Sequence, residues 1–327
     1  MIESTHILPT VITDLEVAEE RWDALNSCNV APSPFTEFSF IQALAASFGW
    51  EIRTVLWGDV LGACFIVRKR GFSEDVVVPP FSPYSCVTLS NTVPISERRR
   101  ILQYLFDDIP QIPFSRVISL DPQLPPVTGI PSSFNSSAKQ TYSIRTSTFS
   151  NALSSFSESA RRHVNRSTGD YSFRTTPIPL ALLCQLVEGG YEHHHRSPPL
   201  NGGDFLELAT RLSKTDYAQM VGVFEAESNA FSAGIVLLVS KTTAWYWLAG
   251  SVRGPSMTIL LAQTIDYLHQ QNINTFDLMG ANTDGVSEFK RRFGGELTAY
   301  THWTRKDWGH RLMSFLGKAR RSLRNIS

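Results

Sequence analysis

The spacing of apolar positions changes several times along the first half of the chain, and each change marks a different element. Residues 14–25 open on Asp14, a side chain suited to an N-cap, and predict a helix. A second helix is predicted over residues 38–48, where Phe40, Ile41, Leu44 and Phe48 fall on one face. Two strand-like runs follow, Glu51–Trp57 and residues 61–68, joined through Gly58 and Asp59, a connection that favours a tight antiparallel turn. Beyond a loop rich in proline (Pro79, Pro80, Pro83) the pattern predicts a strand over Cys86–Leu89, a helix over residues 96–106 and a strand over 116–120. Residues 121–137 are rich in Pro, Ser and Gly, lack a period, and read as a linker or surface loop.

The second half repeats this order. A helix is predicted over residues 204–212, then strands over Ala218–Glu225, 231–240 and 243–249. A strong helix over 257–270 follows Gly254-Pro255, then a strand over 274–278, a short helix over 286–293 and a last strand over 296–303. The run Phe40-Ile41-Gln42-Ala43-Leu44-Ala45 parallels Phe205-Leu206-Glu207-Leu208-Ala209, and Leu61-Gly62-Ala63 parallels Ser232-Ala233-Gly234. A duplicated fold explains both parallels; chance recurrence of helix-then-hairpin is the competing explanation. The expected class is α/β (α+β), with mixed, mainly antiparallel sheets flanked by helices. The expected division is a lobe over residues 1–130, a linker over 131–142, a second lobe over 143–303 and a basic tail over 304–327.

Composition adds limits rather than identity. The 327 residues suit two domains at ~150 residues each. Lys+Arg and Asp+Glu both number 30, so no global field points to nucleic acid or membrane. The N-terminal stretch carries Glu3, Asp14 and Glu16 without a basic patch and apolar segment, and no apolar run approaches the ~20 residues that cross a bilayer. A cytoplasmic protein is expected. Cys28, Cys64, Cys86 and Cys184 are scattered without a CxxC pair, so reduced thiols and no disulfide are expected. The run His193-His194-His195 invites a metal reading, but adjacent helical positions cannot converge on one ion, and no metal is expected.

One stretch carries a stronger signature. The run Trp245-Tyr246-Trp247-Leu248-Ala249-Gly250-Ser251, then Phe276-Asp277-Leu278-Met279-Gly280, then Glu288-Phe289-Lys290-Arg291-Arg292-Phe293-Gly294-Gly295-Glu296-Leu297 resembles the GNAT-type half of the FemABX and BioF2-like transferases. Ala160-Arg161-Arg162-His163-Val164-Asn165-Arg166 is similar to the basic helix that opens that half. The resemblance implies two tandem GNAT-like lobes and attack of an amine on an activated acyl carbonyl. It implies a donor that is either acyl-CoA or aminoacyl-tRNA, and a small-molecule or lipid-linked amine acceptor, with a place in cell-envelope (peptidoglycan or glycoconjugate) biosynthesis. Such aminolysis needs orientation and oxyanion stabilisation, not a nucleophilic side chain, so the lack of a GxSxG or Cys-His arrangement is no objection.

By this resemblance Lys290 matches a functionally important lysine and is the first catalytic candidate, with a solvated helix face as its structural alternative. As a partly exposed lysine it is expected to add little to stability. Asp277, at a strand end beside Gly280, is the second catalytic candidate, with a turn-capping role equally open. Substrate-binding candidates are Arg161, Arg162 and Arg166 on one basic helix, Trp247 on a strand that also holds Trp245, Arg253 and Ser256 before the 257–270 helix, and Asn282, Phe289 and Arg291 around the signature. Acetyl-CoA-binding GNAT domains hold a pyrophosphate on a glycine-rich loop at a helix N-terminus. Ser256 and Thr258 stand here where small glycines are expected, which favours an unusual donor. Past residue 304, Arg305, Lys306, Arg311, Lys318, Arg320, Arg321 and Arg324 face Asp307 alone among the acids, while Trp308, Leu312, Phe315, Leu316 and Leu323 recur at helical spacing. This tail is read either as a basic amphipathic helix giving peripheral contact with the inner face of a membrane or as a helix docked on the second lobe. The competing function is a non-catalytic RNA- or membrane-associated binding module on a decayed transferase fold.

Overall fold

In the computed structural model, which describes residues 7–306 other than 72, 194 and 283, the chain forms two compact units. One unit takes the chain up to Ala138 and again from Tyr300 on; the other is Lys139–Ala299. In chain order the elements are β1 (Thr10–Ile12), α1 (Leu15–Asn26), α2 (Phe38–Phe48), β2 (Glu51–Trp57), β3 (Leu61–Arg70), β4 (Ser73–Val77), β5 (Cys86–Leu89), α3 (Arg98–Gln103) and β6 (Ser115–Ser119). Then come β7 (Asn135–Arg145), α4 (Phe149–Ser155), α5 (Glu158–Ser167), β8 (Tyr171–Arg174), α6 (Leu180–His193), α7 (Gly202–Leu212), β9 (Ala218–Glu225), β10 (Phe231–Val239), β11 (Thr243–Ser251), α8 (Ser256–Gln270), β12 (Thr275–Asp277), α9 (Asp284–Arg291) and β13 (Glu296–Arg305).

The two sheets share one plan. In the first unit the strand order is β1-β2-β3-β4-β6-β13, with β5 also paired to β3; in the second it is β8-β9-β10-β11-β12-β7. Each begins with three antiparallel pairings, crosses over through a helix into one parallel pairing (β4 with β6, β11 with β12), and ends on an antiparallel strand. The parallels noted in the sequence fall on matching elements, α2 with α7 and β3 with β10, so the duplicated α/β lobe is present.

Two expectations about the divisions change. The segment 131–142 is not a free linker: from Asn135 on it is part of β7, whose Ile144 and Ser143 pair with Phe276 and Asp277. Its many polar residues hid a strand that is exposed over its first four residues and buried only at Tyr142 and its neighbours. Residues 300–303 belong with the first unit, because His302–Arg305 pair with β6 and Trp303 packs edge-on against Phe106 at 5.2 Å. Arg305, counted in the sequence with the basic amphipathic tail, is a buried strand residue whose Nη1 donates to Asp108 at 2.7 Å. The remainder of the tail, from 307 on, lies outside the described residues. Among the described residues no helix is long and apolar enough to cross a membrane.

In the second unit the sheet is covered on one side by α8, ten of whose residues are buried; α8 also packs against α4 and α5. The other side receives α6. Gly222, Gly234 and Gly250 stand in register across β9, β10 and β11 and form a row with no side chains. A Cβ on Gly250 would lie 2.8 Å from Leu186 Cβ and 2.8 Å from Val187 N, so α6 approaches the sheet only because this row is bare. At the end of α9 the chain turns through Gly294, which has φ +75° and lies so close to α4 that a Cβ would fall 2.4 Å from the Ser155 carbonyl oxygen. Gly294→Ala is therefore expected to destabilise the protein by at least about 2 kcal/mol, through left-handed strain and overpacking together. Gly285→Ala in α9, where a Cβ meets nothing within 4 Å, should be neutral or slightly stabilising. Urea midpoints of the two variants measure the difference.

Candidate functional site

The signature residues gather where the parallel pair of the second unit comes apart. β11 and β12 stay in register for three pairs, Thr243 with Thr275, Ala244 with Phe276 and Trp245 with Asp277. β12 then ends, while β11 runs on to Ser251 and leads through Gly254 and Pro255 into α8. Just past the split, β11 is irregular: Val236 pairs with Leu248 but Leu237 with Tyr246, which leaves Trp247 as the extra residue of a bulge. Trp245 and Trp247 are both buried, at 1% and 6% exposure, so they belong to the core rather than to an open aromatic wall.

The segment that leaves β12 curls through two left-handed residues, Met279 at φ +54° and Gly280 at φ +29°. Its amides remain tied to the fold: Leu278 N–H donates to the Tyr142 carbonyl at 2.8 Å, Met279 N–H to Asp277 Oδ1 at 2.6 Å and Ala281 N–H to the Gln140 carbonyl at 2.8 Å. Its carbonyls turn the other way and meet Lys290. The ammonium donates to Leu278 O at 2.6 Å, to Met279 O, and to Gly280 O at 3.1 Å, and lies 5.4 Å from the centre of the Tyr246 ring. Lys290 is 7% exposed, so the expectation of a partly exposed lysine with little structural weight is wrong. The helix places it inward because α9 turns Arg291 to solvent and packs Phe289 edge-on against Phe293 at 5.1 Å.

Asp277 is also buried, at 5% exposure. Its Oδ1 accepts from the Thr141 hydroxyl and from Met279 N–H. Burial raises its pKa, while these two donors and the Lys290 charge pull it down. Burial also pushes the Tyr246 phenol up; its hydroxyl reaches Met257 Sδ at 3.5 Å. Asn282 is exposed and accepts from Gln140 N–H through Oδ1 at 2.9 Å, fixing the segment's far end to β7.

The other candidates lie elsewhere on the second unit. Arg253 is exposed before α8 and donates to His193 Nδ1 at 3.2 Å. Ser256 has its side chain fully buried against the Ser232 carbonyl, so its hydroxyl is turned away from the helix entrance; the cap residue Pro255 supplies no side-chain bond to the first turn. Arg161, Arg162 and Arg166 are exposed on α5, which buries Ala160 and Val164, and Arg162 pairs with Glu158 at 2.6 Å. Arg291 is held by both oxygens of Glu288 at 2.9 and 3.0 Å. Of the histidine run, His193 ends α6, His195 takes φ +52°, and His194 lies outside the described residues. Among the described residues no group of three or more His, Cys, Asp or Glu is arranged to hold a metal.

Sequence reasoning missed Thr141, Tyr142 and Gln140, which fell inside the supposed linker, and did not single out Tyr246 between its two tryptophans. A Thr–Tyr pair followed by Ile144 was the available signal for a strand end.

No protein-family profile matches the chain. No curated protein matches it either. Solved structures do. FemX is similar with a TM-score of 0.61 and 11% identity over 90% of this chain and 96% of that one. A conserved protein of unknown function from Bacteroides thetaiotaomicron VPI-5482 gives 0.57 and 10% identity over 88% and 97%. The C-terminal domain of a candidate lysylphosphatidylglycerol synthetase from Agrobacterium fabrum gives 0.51 and 11% identity over 91% and 95%. The chain thus has a FemX-like fold built of two similar α/β lobes.

Burial brings the Lys290 pKa down to about 8, with Asp277 opposing. An unfolded lysine holds its proton to about pH 10.4. Between these values the unfolded chain binds more protons than the folded one. The unfolding free energy therefore rises with pH in that window, by up to about 1.4 kcal/mol per pH unit. Urea titrations from pH about 7.5 to about 9.5 should show this slope in the wild type, and Lys290→Met should lack it.

Proposed function

We propose that the second unit transfers an acyl or aminoacyl group to an amine acceptor at the split between β11 and β12. The observation that carries this reading is the short parallel register followed by separation, with β11 continuing alone toward the start of α8. A strand edge that has lost its neighbour offers backbone N–H and C=O groups to an extended donor arm, which can add to it by main-chain hydrogen bonds. The first turn of α8 has amides without intrahelical partners and a positive dipole end, and Arg253 stands beside it, so the phosphates of a donor fit there.

The donor's carbonyl would then lie near the bulge at Trp247, where displaced amides can stabilise the oxyanion. Two groups share the remaining work. Asp277 sits at the last paired residue with both of its hydrogen bonds on Oδ1, and Oδ2 is the oxygen we assign to taking the proton from the attacking amine. Exposed Arg161, Arg162 and Arg166 suit a phosphorylated donor or acceptor. The donor is an acyl-CoA or an aminoacyl-tRNA; the absence of small glycines at Ser256 and Thr258 favours the second. A lipid-linked acceptor, with the enzyme on the cytoplasmic face of the membrane, fits the name of the synthetase domain that shares this fold.

The competing reading, a binding module without chemistry, draws on the same arginines. Incubating the protein with acyl-CoA or aminoacyl-tRNA and a panel of amine acceptors, and reading products by mass spectrometry, separates the two. Amide formation is expected, and Asp277→Asn should lower the rate by about 10²-fold or more with the donor's affinity little changed. No transfer from either donor class, or full activity in Asp277→Asn, would remove the chemistry from this site.

A further inference from the structure

Lys290 uses its whole hydrogen-bonding capacity inside the fold. An ammonium has three donors and no acceptor, and the partners here are the carbonyls of three consecutive residues, Leu278, Met279 and Gly280. Consecutive carbonyls ordinarily point in different directions. They converge only because Met279 and Gly280 adopt left-handed backbone, a conformation that is strained for methionine. Tyr246 supplies an aromatic face on the cation at 5.4 Å from the ring centre.

A ring of backbone carbonyl oxygens over an aromatic floor is an environment that replaces the hydration shell of a compact monovalent cation. We propose that residues 278–280 form a monovalent-cation cage whose ion is the chain's own ammonium, so that Lys290 is a positioning residue that shapes the end of β12 rather than a group offered to substrate. The backbone groups of the segment then divide between two sets of partners. The amides of Leu278, Met279 and Ala281 bond to Tyr142, Asp277 and Gln140, and the carbonyls of Leu278, Met279 and Gly280 bond to Lys290. Without the Lys290 side chain, the three carbonyls lose the donor that draws them together.

The cage predicts a response that a simple packing role does not. Lys290→Ala removes the ammonium and leaves space for an ion of similar size; Lys290→Met removes the ammonium but fills the space. Hydrogen exchange of residues 278–282 at pH about 7 is to be measured for wild type and both variants in ammonium chloride, potassium chloride and, at matched ionic strength, choline chloride. In choline both variants should exchange at least about tenfold faster than wild type over this segment. Ammonium, and to some extent potassium, should restore protection in Lys290→Ala in a saturable way and do nothing for Lys290→Met or the wild type. Should Lys290→Ala fail to fold in choline, folding restored by ammonium is the same expected result. The proposal is overturned if Lys290→Met keeps wild-type protection over 278–282, or if ammonium acts on Lys290→Ala no better than choline. The measurement needs no substrate, so its outcome is independent of whether the unit transfers acyl groups.

Discussion

A parallel strand pair that separates leaves main-chain oxygens without neighbours, and the second unit is arranged around that constraint. β12 is only three residues long, and at Asp277 its partner β11 turns away into a bulge. The chain beyond could regain its hydrogen bonds by returning to β11, which would close the gap, or by finding donors elsewhere. It keeps the amides of Leu278 and Ala281 on β7 and that of Met279 on the Asp277 carboxylate, and sends its carbonyls to one side chain. The position of α9 follows, since Lys290 must reach three oxygens from one helix. So does the glycine turn after α9, because Gly294 must bring the chain against Ser155 to continue into β13.

The arrangement is expensive in stability, and this bears on why it is kept. Taking an ammonium out of water favours its neutral form, as the lowered Lys290 pKa reflects. The neighbouring carboxylate is buried as well and shifts the opposite way. Two ionisable groups moved toward neutrality at a strand end, beside a left-handed methionine, are features that folded chains concentrate where shape matters to chemistry. The core of the same unit shows no such tension: Val221, Val223, Ile235, Leu237, Leu260, Ile265 and Phe276 form a continuous apolar cluster.

Much of the lobe plan was legible because it rests on period and punctuation. The strong helix after Gly254-Pro255, the hairpin strands and the repeat of α2 and β3 in α7 and β10 all appear where apolar spacing placed them. β7 was not legible, because a strand that begins exposed and polar carries no alternation until Tyr142. α6 was passed over because much of its apolar surface is matched by the glycine row, a long-range fit with no local signal. The site was half legible. Sequence pointed to Lys290 and Asp277, but the direction in which a lysine points depends on which carbonyls the tertiary fold leaves unpaired. The same limit applies to Ser256 and Trp247, both of which turn into the core, and to Arg291, which Glu288 holds at the surface.

The return of β13 to the first unit has a consequence for how the molecule is made. Ribosomal synthesis delivers α1 through β6 early, yet the strand that closes the β6 edge, with Trp303 for its core, is encoded about 180 residues later, after the entire second unit. Until those residues emerge, the N-terminal half is a sheet with an open edge, the kind of surface on which nascent chains associate with one another. Folding in the cell is then a clasp rather than a sequence of two independent events. The half that is translated first is completed last, and a chain released early would expose the edge that its missing end was meant to cover.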